Sequence, residues 1–482
     1  MSESQILQVL LPFIDGQVPE CYRFHEKPPR PPGIPPLVKR LSSTAGARGD
    51  RCVGFIRKRD ALCRNGTAAC QVGLFRPGLA RVEPLAYLAD MTSPAMPRVV
   101  VRPLVVDDYP LVKDIIAESF ADHIRQNPDG LAEYELEPWY DPAHLLVAEV
   151  DGKVVSHMGV RDGVLWIQGR QVKAGLIGTV CTAAGHRGEG IGALLLQASF
   201  RWIEERGLEM SYLHTSPERF GFYGRQEYRL AEMDSPQCIL SAPSSPPDVN
   251  GYRIRQAEAT DADSCNRLYE ETFGKLTGAW SRTPEFWVRR LTRRPKLWST
   301  GRPEFWVAEA DGPVAYLALE GEEPAIPELG GDHGALAALV HHAFQQTGAL
   351  TLRAPIGRDR EVCRDLGPFS PELSTGPGAV MVRVHQEEAF LQVAGEILQE
   401  RTQAAGVRVT LRTERQTIQA GDSGELLEFT LSIHDLCSLM YNGRRLATLL
   451  EMGDVAVEAG DADALRRVFP ETFATRCLFD GY

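Results

Sequence analysis

The stretch HRGEGIGALLLQASFRWIEERG, residues 186–207, places three glycines behind an arginine and then begins an apolar helix without a pause. Just upstream, GLIGTVCT (175–182) is apolar and β-branched, which predicts a strand entering the turn. Over 190–206, Ile191, Leu194, Leu195, Ala198 and Trp202 recur at helical spacing and predict one buried face. A strand, a glycine turn and a helix leave unpaired N–H groups at the helix start, and these donors with the helix dipole favour an anion. Gly188, Gly190 and Gly192 let backbone approach such a ligand with no Cβ in the way, and Arg187 adds a charged donor. A glycine turn is equally an ordinary tight connection between strand and helix. The spacing is not GxxxxGK[ST]. GEGIGA meets G-x-G-x-x-G only in part, with no acidic residue about 20 positions on at a strand end.

The chain has 482 residues, too many for one core, and suggests about three domains. With 43% hydrophobic and 24% charged residues its composition is that of a soluble globular protein. No apolar run approaches the ~20 residues of a membrane helix, and the N-terminus lacks a basic n-region. A cytoplasmic location is therefore the default expectation, without membrane partners. Ten cysteines include no CxxC pair or zinc-type spacing, so they read as reduced thiols and no metal is expected. A net charge of −12 argues against nucleic acid and suits a cationic substrate. Residues 1–95 run against that balance, with 13 Lys and Arg against 8 Asp and Glu. They include PPRPPGIPP (28–36) and an Arg/Gly-rich run without periodicity. Residues 1–96 are thus expected to be a dispensable basic extension, either flexible or upstream of a native start at Met91 or Met96.

Part of the chain repeats. RPLVVDDYPLVKDIIAESF (102–120) lies on RQAEATDADSCNRLYEETF (255–273) without a gap, each a short strand, an Asp-containing cap and an amphipathic helix. LLVAEVDGKVV (145–155) matches FWVAEADGPVA (305–315) as a β-hairpin with a DG turn. One fold used twice is the implied arrangement. The copies differ at the turn: where the first has HRGEGIG, the second has GDHGALAALV (331–340), without the arginine. From about residue 390 the pattern changes to a small α+β domain: a helix at 391–401, a strand-like run at 407–419, and further helices at about 433–442 and 461–470.

Arg187-x-x-Gly190-x-Gly192 resembles the acyl-CoA pyrophosphate loop of the GCN5-related N-acetyltransferases. The strand LEMSYLHTS (208–216) and FYGRQEY (222–228) resemble the elements that close such a domain, with Glu227 standing where that family usually has glycine. The whole arrangement is similar to the bacterial enhanced intracellular survival acetyltransferases. It implies an α/β (α+β) chain of tandem acetyltransferase folds: an active copy at 97–245, a degenerate one at 250–388, and a sterol-carrier-like α+β domain at 390–482. It also implies acetyl-CoA as cosubstrate, small polyamines such as aminoglycosides as acceptors, with protein lysine as another, and a homohexamer.

Residue by residue, the resemblance assigns Val180, Cys181 and Thr182 to the strand whose backbone pairs with the pantetheine arm. It assigns Arg187, Gly188, Glu189, Gly190, Ile191, Gly192 and Ala193 to the pyrophosphate loop, and Ser216 to a further cofactor contact. Tyr223 is the candidate general acid, since a phenol beside the sulfur can protonate a departing thiolate. The terminal carboxylate of Tyr482 is the implied base, and Asp122 and Asp480 the implied partners of acceptor ammonium groups. No Cys/His/Asp arrangement points to a covalent intermediate. The competing expectation is a non-catalytic acyl-CoA or lipid-binding module.

Overall fold

The computed structural model describes residues 87–88, 99–126, 131–132, 134, 142–245, 251–274, 276–292, 303–320, 324–354 and 365–471. Two residues of the expected extension, β1 (Tyr87–Leu88), pair antiparallel with the edge strand β2 (Val99–Pro103), Tyr87 opposite Val101. The rest of the extension lies outside the described residues. From β2 the chain enters α1 (Tyr109–Ser119) and α2 (Ala121–Gln126), then the hairpin of β3 (Leu145–Val150) and β4 (Lys153–Ile167). That hairpin turns through Asp151 at φ 52° and Gly152 at φ 78°, two successive positive φ values that a DG pair accommodates. There follow β5 (Arg170–Thr182), α3 (Ile191–Glu205), β6 (Met210–Thr215), α4 (Phe220–Gly224) and β7 (Arg229–Ser241).

α3 buries Ile191, Leu195, Leu196, Ser199 and Ile203, whereas Leu194, Ala198 and Trp202 are half-buried. The buried stripe is therefore rotated by about one position from the predicted face, because helical side chains lean toward the N-terminus and cover the preceding turn. Each aliphatic side chain on it is worth roughly 1.5–3 kcal/mol relative to exposure.

The second copy runs through β8 (Arg253–Gln256), α5 (Ala262–Phe273), α6 (Pro284–Thr292), β9 (Glu304–Glu309), β10 (Pro313–Glu320), β11 (Ala325–Gly331), α7 (His333–Thr347) and β12 (Thr351–Ala354). One ion cluster shows the repeat atom by atom. Arg102 donates to Asp108 and to Glu149, the latter from Nε at 2.8 Å, and Asp108 Oδ2 accepts the Val105 N–H at 2.8 Å. Arg255 likewise donates to Asp261 and to Glu309, from Nε at 2.8 Å, while Asp261 Oδ2 accepts the Glu258 N–H at 2.8 Å. In both copies the aspartate locks the turn that starts the first helix.

The two copies share one sheet, 13-stranded among the described residues, in the order β1-β2-β3-β4-β5-β6-β13-β7-β12-β11-β10-β9-β8. Its central strand β13 (Glu372–Val384) pairs antiparallel with both β6 and β7, so a strand from the end of the 250–388 segment sits inside the first copy. The copies also touch through residues 279–281: the Trp166 N–H donates to Ala279 O, and the Ser281 N–H to Val164 O, each at 2.8 Å. Gly163 permits this crossing, since a Cβ there would lie 2.3 Å from the Trp280 ring.

The last region holds α8 (Glu387–Ala405), β14 (Val407–Arg412), β15 (Thr417–Ala420), β16 (Glu425–Thr430), α9 (Ile433–Tyr441), α10 (Arg445–Met452), β17 (Ala456–Ala459) and α11 (Ala462–Val468). Its sheet order is β15-β14-β16-β17, with β14 and β16 parallel. The strand-like run at 407–419 is thus a hairpin, β14 to β15, and α10 and β17 are elements the periodicity did not reveal. This region continues the core of the first copy, and Ser438 Oγ donates to Leu230 O at 2.7 Å. Among the described residues, Cys181, Cys238, Cys265 and Cys437 are buried thiols that form no disulfide, and no helix is long and apolar enough to cross a membrane.

Candidate active site

β5 and β6 begin as neighbours and then separate. Their parallel pairing runs from Ala174–Met210 to Ile177–Leu213 and stops, while β5 continues to Thr182 and β6 to Thr215. The cause is a bulge: against β4, the register passes from Gly159–Gly178 to His157–Cys181, so Thr179 and Val180 oppose Met158 alone. Thr179 takes φ +49°, a left-handed conformation that costs a β-branched residue on the order of 1–2 kcal/mol. Beyond it, Val180, Cys181 and Thr182 line the widening gap, and the opposite edge of β6 is taken by β13.

A buried chain of polar groups, which the sequence did not reveal, underlies the bulge. His157 Nδ1 lies 3.1 Å from Leu146 O, and its Nε2 lies 2.8 Å from Tyr134 Oη. Burial drives the His157 imidazole down to about 4, so the ring is neutral at physiological pH. A neutral ring facing a carbonyl carries its proton on Nδ1, which makes Nε2 an acceptor for the Tyr134 hydroxyl. Tyr134 Oη, having donated to His157, accepts from Thr179 Oγ1 at 3.4 Å, at the bulge itself. No motif marks these residues.

At the end of β5 the backbone turns through Gly188 at φ 85° and Gly190 at φ 82°, a conformation in which other residues are strained, and a Cβ on either would meet nothing within 4 Å. Gly190 is the N-cap of α3 and provides no side-chain cap. Among the described residues, the N–H groups of Gly188, Glu189 and Gly190 find no acceptor. Ile191, Gly192 and Ala193 complete the first turn above them. Arg187 is exposed, with Nε donating to Thr182 O at 2.8 Å and Nη2 to Ser119 Oγ at 3.1 Å. Uncapped N–H donors, glycines without a Cβ and a held guanidinium are the donor set an extended phosphate ester requires, so these residues fit the pyrophosphate of acetyl-CoA.

The comparable turn of the second copy is closed. Asp332 is the N-cap of α7, and its Oδ1 accepts the Ala335 N–H at 2.9 Å and the Tyr252 hydroxyl at 3.1 Å. An internal carboxylate thus stands at the N-cap of the second copy, where the first copy has Gly190 and no side chain.

Tyr223, on α4, is 5% exposed and packs edge-on against Phe222 and Tyr228. Burial raises its phenol to about 12, with the charge of Arg219 opposing. It lies in one packed cluster with Ile191 at the start of α3, and Val180 near the end of β5 packs against that cluster. The Cys181 thiol is itself pushed up to about 12 by burial, so it stays protonated and a poor nucleophile. Ser216 is exposed and hydrogen-bonds Glu218, whose carboxyl it holds below the usual range. Asp122 lies on the surface in the first turn of α2, paired with Arg125. Glu227 occupies φ +66°, the backbone conformation for which glycine is the usual choice. Asp480 and Tyr482 lie outside the described residues.

Residues 100–231 match the family model of the Acetyltransferase (GNAT) domain. The chain is 31% identical over 145 residues to a mycothiol acetyltransferase of Frankia casuarinae, covering 28% of this chain and 42% of that protein. Over 153 residues it is 31% identical to a mycothiol acetyltransferase of Frankia alni, covering 44% of it. It thus spans less than half the length of these curated relatives. Among solved structures, a GCN5-related N-acetyltransferase from Anabaena variabilis superposes with a TM-score of 0.57 at 14% identity, covering 78% of this chain and 98% of that one. Eis1 from Mycobacterium abscessus does so with a TM-score of 0.52 at 15% identity and the same coverage. At such identities the likeness is one of fold, and the site must speak for the chemistry. The strands splayed by a bulge and the uncapped glycine turn both lie within the segment 100–231 that matches the GNAT acetyltransferase domain.

Proposed function

We propose that the chain is an acetyl-CoA-dependent N-acetyltransferase that passes acetyl directly to an amine of a small polyamine, such as an aminoglycoside, with protein lysine as another acceptor. The observation that carries this reading is Tyr223: a buried, protonated phenol at the open end of β5, beside an uncapped anion-binding turn. Acetyl-CoA supplies the activated thioester. Backbone of Val180, Cys181 and Thr182 holds its pantetheine arm; Arg187 and the turn from Gly188 to Ala193 hold the pyrophosphate, and Ser216 adds a contact. A phenol at about 12 keeps its proton at neutral pH, which is the state a general acid for a departing thiolate must have. The ammonium of the acceptor must lose a proton, and the terminal carboxylate of Tyr482 is the proposed base, with Asp122 and Asp480 holding further ammonium groups. A net charge of −12 supports a cationic acceptor.

In this reading residues 1–96 are a dispensable extension, 97–245 the active copy, 250–388 a degenerate copy and 390–482 a sterol-carrier-like domain. The cytoplasmic chain assembles as a homohexamer. The Asp332 cap supports the degenerate role of the second copy. The test is product analysis by mass spectrometry after incubation of the full chain with acetyl-CoA and a panel: an aminoglycoside, spermine, a lysine peptide, the acceptor of mycothiol acetyltransferases and a blank. An acetylated polyamine is the expected result. Tight acetyl-CoA binding with no acetylated product from any amine would replace the enzyme with a binding module.

A further inference from the structure

The turn between β5 and α3 is braced from outside by the last two residues of α1. Both carboxylate oxygens of Glu118 accept the Ala184 N–H at 3.1 Å. The next residue, Ser119, accepts from Arg187 Nη2, and Arg187 Nε is held in turn by Thr182 O. The guanidinium is thereby fixed at two of its five N–H groups, and among the described residues the others have no partner.

The second copy supplies an internal comparison. Thr272 stands at the position of Ser119 in the repeat, and its Oγ1 accepts the Gly331 N–H at 3.0 Å, just before the capped start of α7. A hydroxyl at this place therefore ties the first helix to the strand–helix turn in both copies. The carboxylate does not act alike. Glu271, in register with Glu118, pairs with Arg267 along its own exposed helix face at 3.1 Å. The hydroxyl brace accompanies the fold, while the carboxylate brace and the arginine accompany the uncapped turn alone.

We propose that Glu118 and Ser119 are positioning residues for the pyrophosphate turn: Glu118 fixes the backbone at Ala184, and Ser119 aims the Arg187 guanidinium. This rests on the reading of the turn as the pyrophosphate site of acetyl-CoA. A bond to a charged group that holds the binding arginine predicts a loss of about tenfold in affinity when it is removed. Glu118 is exposed and Ser119 half-buried, and neither belongs to the buried core.

The test compares acetyl-CoA with S-acetylpantetheine, which ends before the pyrophosphate, in wild type, Glu118→Ala, Ser119→Ala and Glu118→Gln. CoA affinity is measured by calorimetry alongside kcat/KM. The alanine variants are expected to weaken CoA binding about tenfold and raise KM for acetyl-CoA while leaving kcat/KM for S-acetylpantetheine unchanged. Glu118→Gln, which keeps an acceptor oxygen, should recover most of the loss. Equal losses on both thioesters, or unaltered CoA affinity in the alanine variants, would overturn the positioning role and leave the site assignment standing. Failure of the wild-type chain to bind CoA would overturn both.

Discussion

Arg383 Nη2 donates to Glu227 Oε2 at 3.1 Å, and so ties β13 to a residue that the fold holds at φ +66°. The same guanidinium donates through Nε to Gln226 O at 3.1 Å and stacks on Phe200 at 4.1 Å. A strand inserted from later in the chain thus restrains the turn that follows Tyr223.

Two substitutions separate strain from charge at that turn. Glu227→Ala keeps the left-handed strain and loses the pair, whereas Glu227→Gly relieves the strain as well. Glycine should therefore exceed alanine in stability by about 1 kcal/mol, because a left-handed non-glycine residue costs that much and both variants lack the pair. Denaturant unfolding of both variants measures the difference; alanine equal to or above glycine would contradict it.

The contrast between Gly190 and Asp332 gives a second expectation. Gly190→Asp would place a carboxylate at the uncapped start of α3, as Asp332 does in the second copy. Acetyl-CoA affinity should fall at least about tenfold, since the carboxylate repels phosphate and a side chain at φ 82° strains the turn. The control, Asp332→Ala, should cost about 1 kcal/mol of stability and leave affinity unchanged. Calorimetric titration and thermal melts of the pair decide the matter.

Acid should weaken the fold through its buried histidines. His157 and His434 are both held down to about 4 by burial, against an ordinary value near 6.5. As pH falls from about 6.5 to 4 the unfolded chain takes up protons that these rings refuse, so stability declines across that window and is complete above it. For the fully buried His157 the loss is on the order of 3 kcal/mol. Melting temperatures between pH 7 and 4 should drop accordingly, and His157→Gln should flatten the slope; an unchanged slope would remove His157 as a source.

The features legible in the sequence are those encoded in short runs. The β5–turn–α3 unit, the DG hairpin at 151–152 and the repeat of Arg102 and Asp108 as Arg255 and Asp261 each rest on neighbouring residues whose spacing fixes their geometry. The site features that escaped are non-local. Tyr134, His157 and Thr179 meet only because three separate segments fold together, and His157 looks like any strand residue until its partners are known. The placement of β13 between β6 and β7 is set by sheet pairing across about 150 residues, for which periodicity has no signal. Glu227 is the intermediate case. Its departure from glycine was visible, but its support by Arg383 belongs to β13.

The most direct test of the account compares thiol release from acetyl-CoA by the full chain and by Tyr223→Phe, with an aminoglycoside present and absent. The account predicts amine-dependent release by the wild type and a loss of at least about 100-fold in kcat for the variant, with acetyl-CoA affinity unchanged. Equal turnover by the two proteins would take Tyr223 out of the chemistry, and release without regard to any amine would contradict direct transfer.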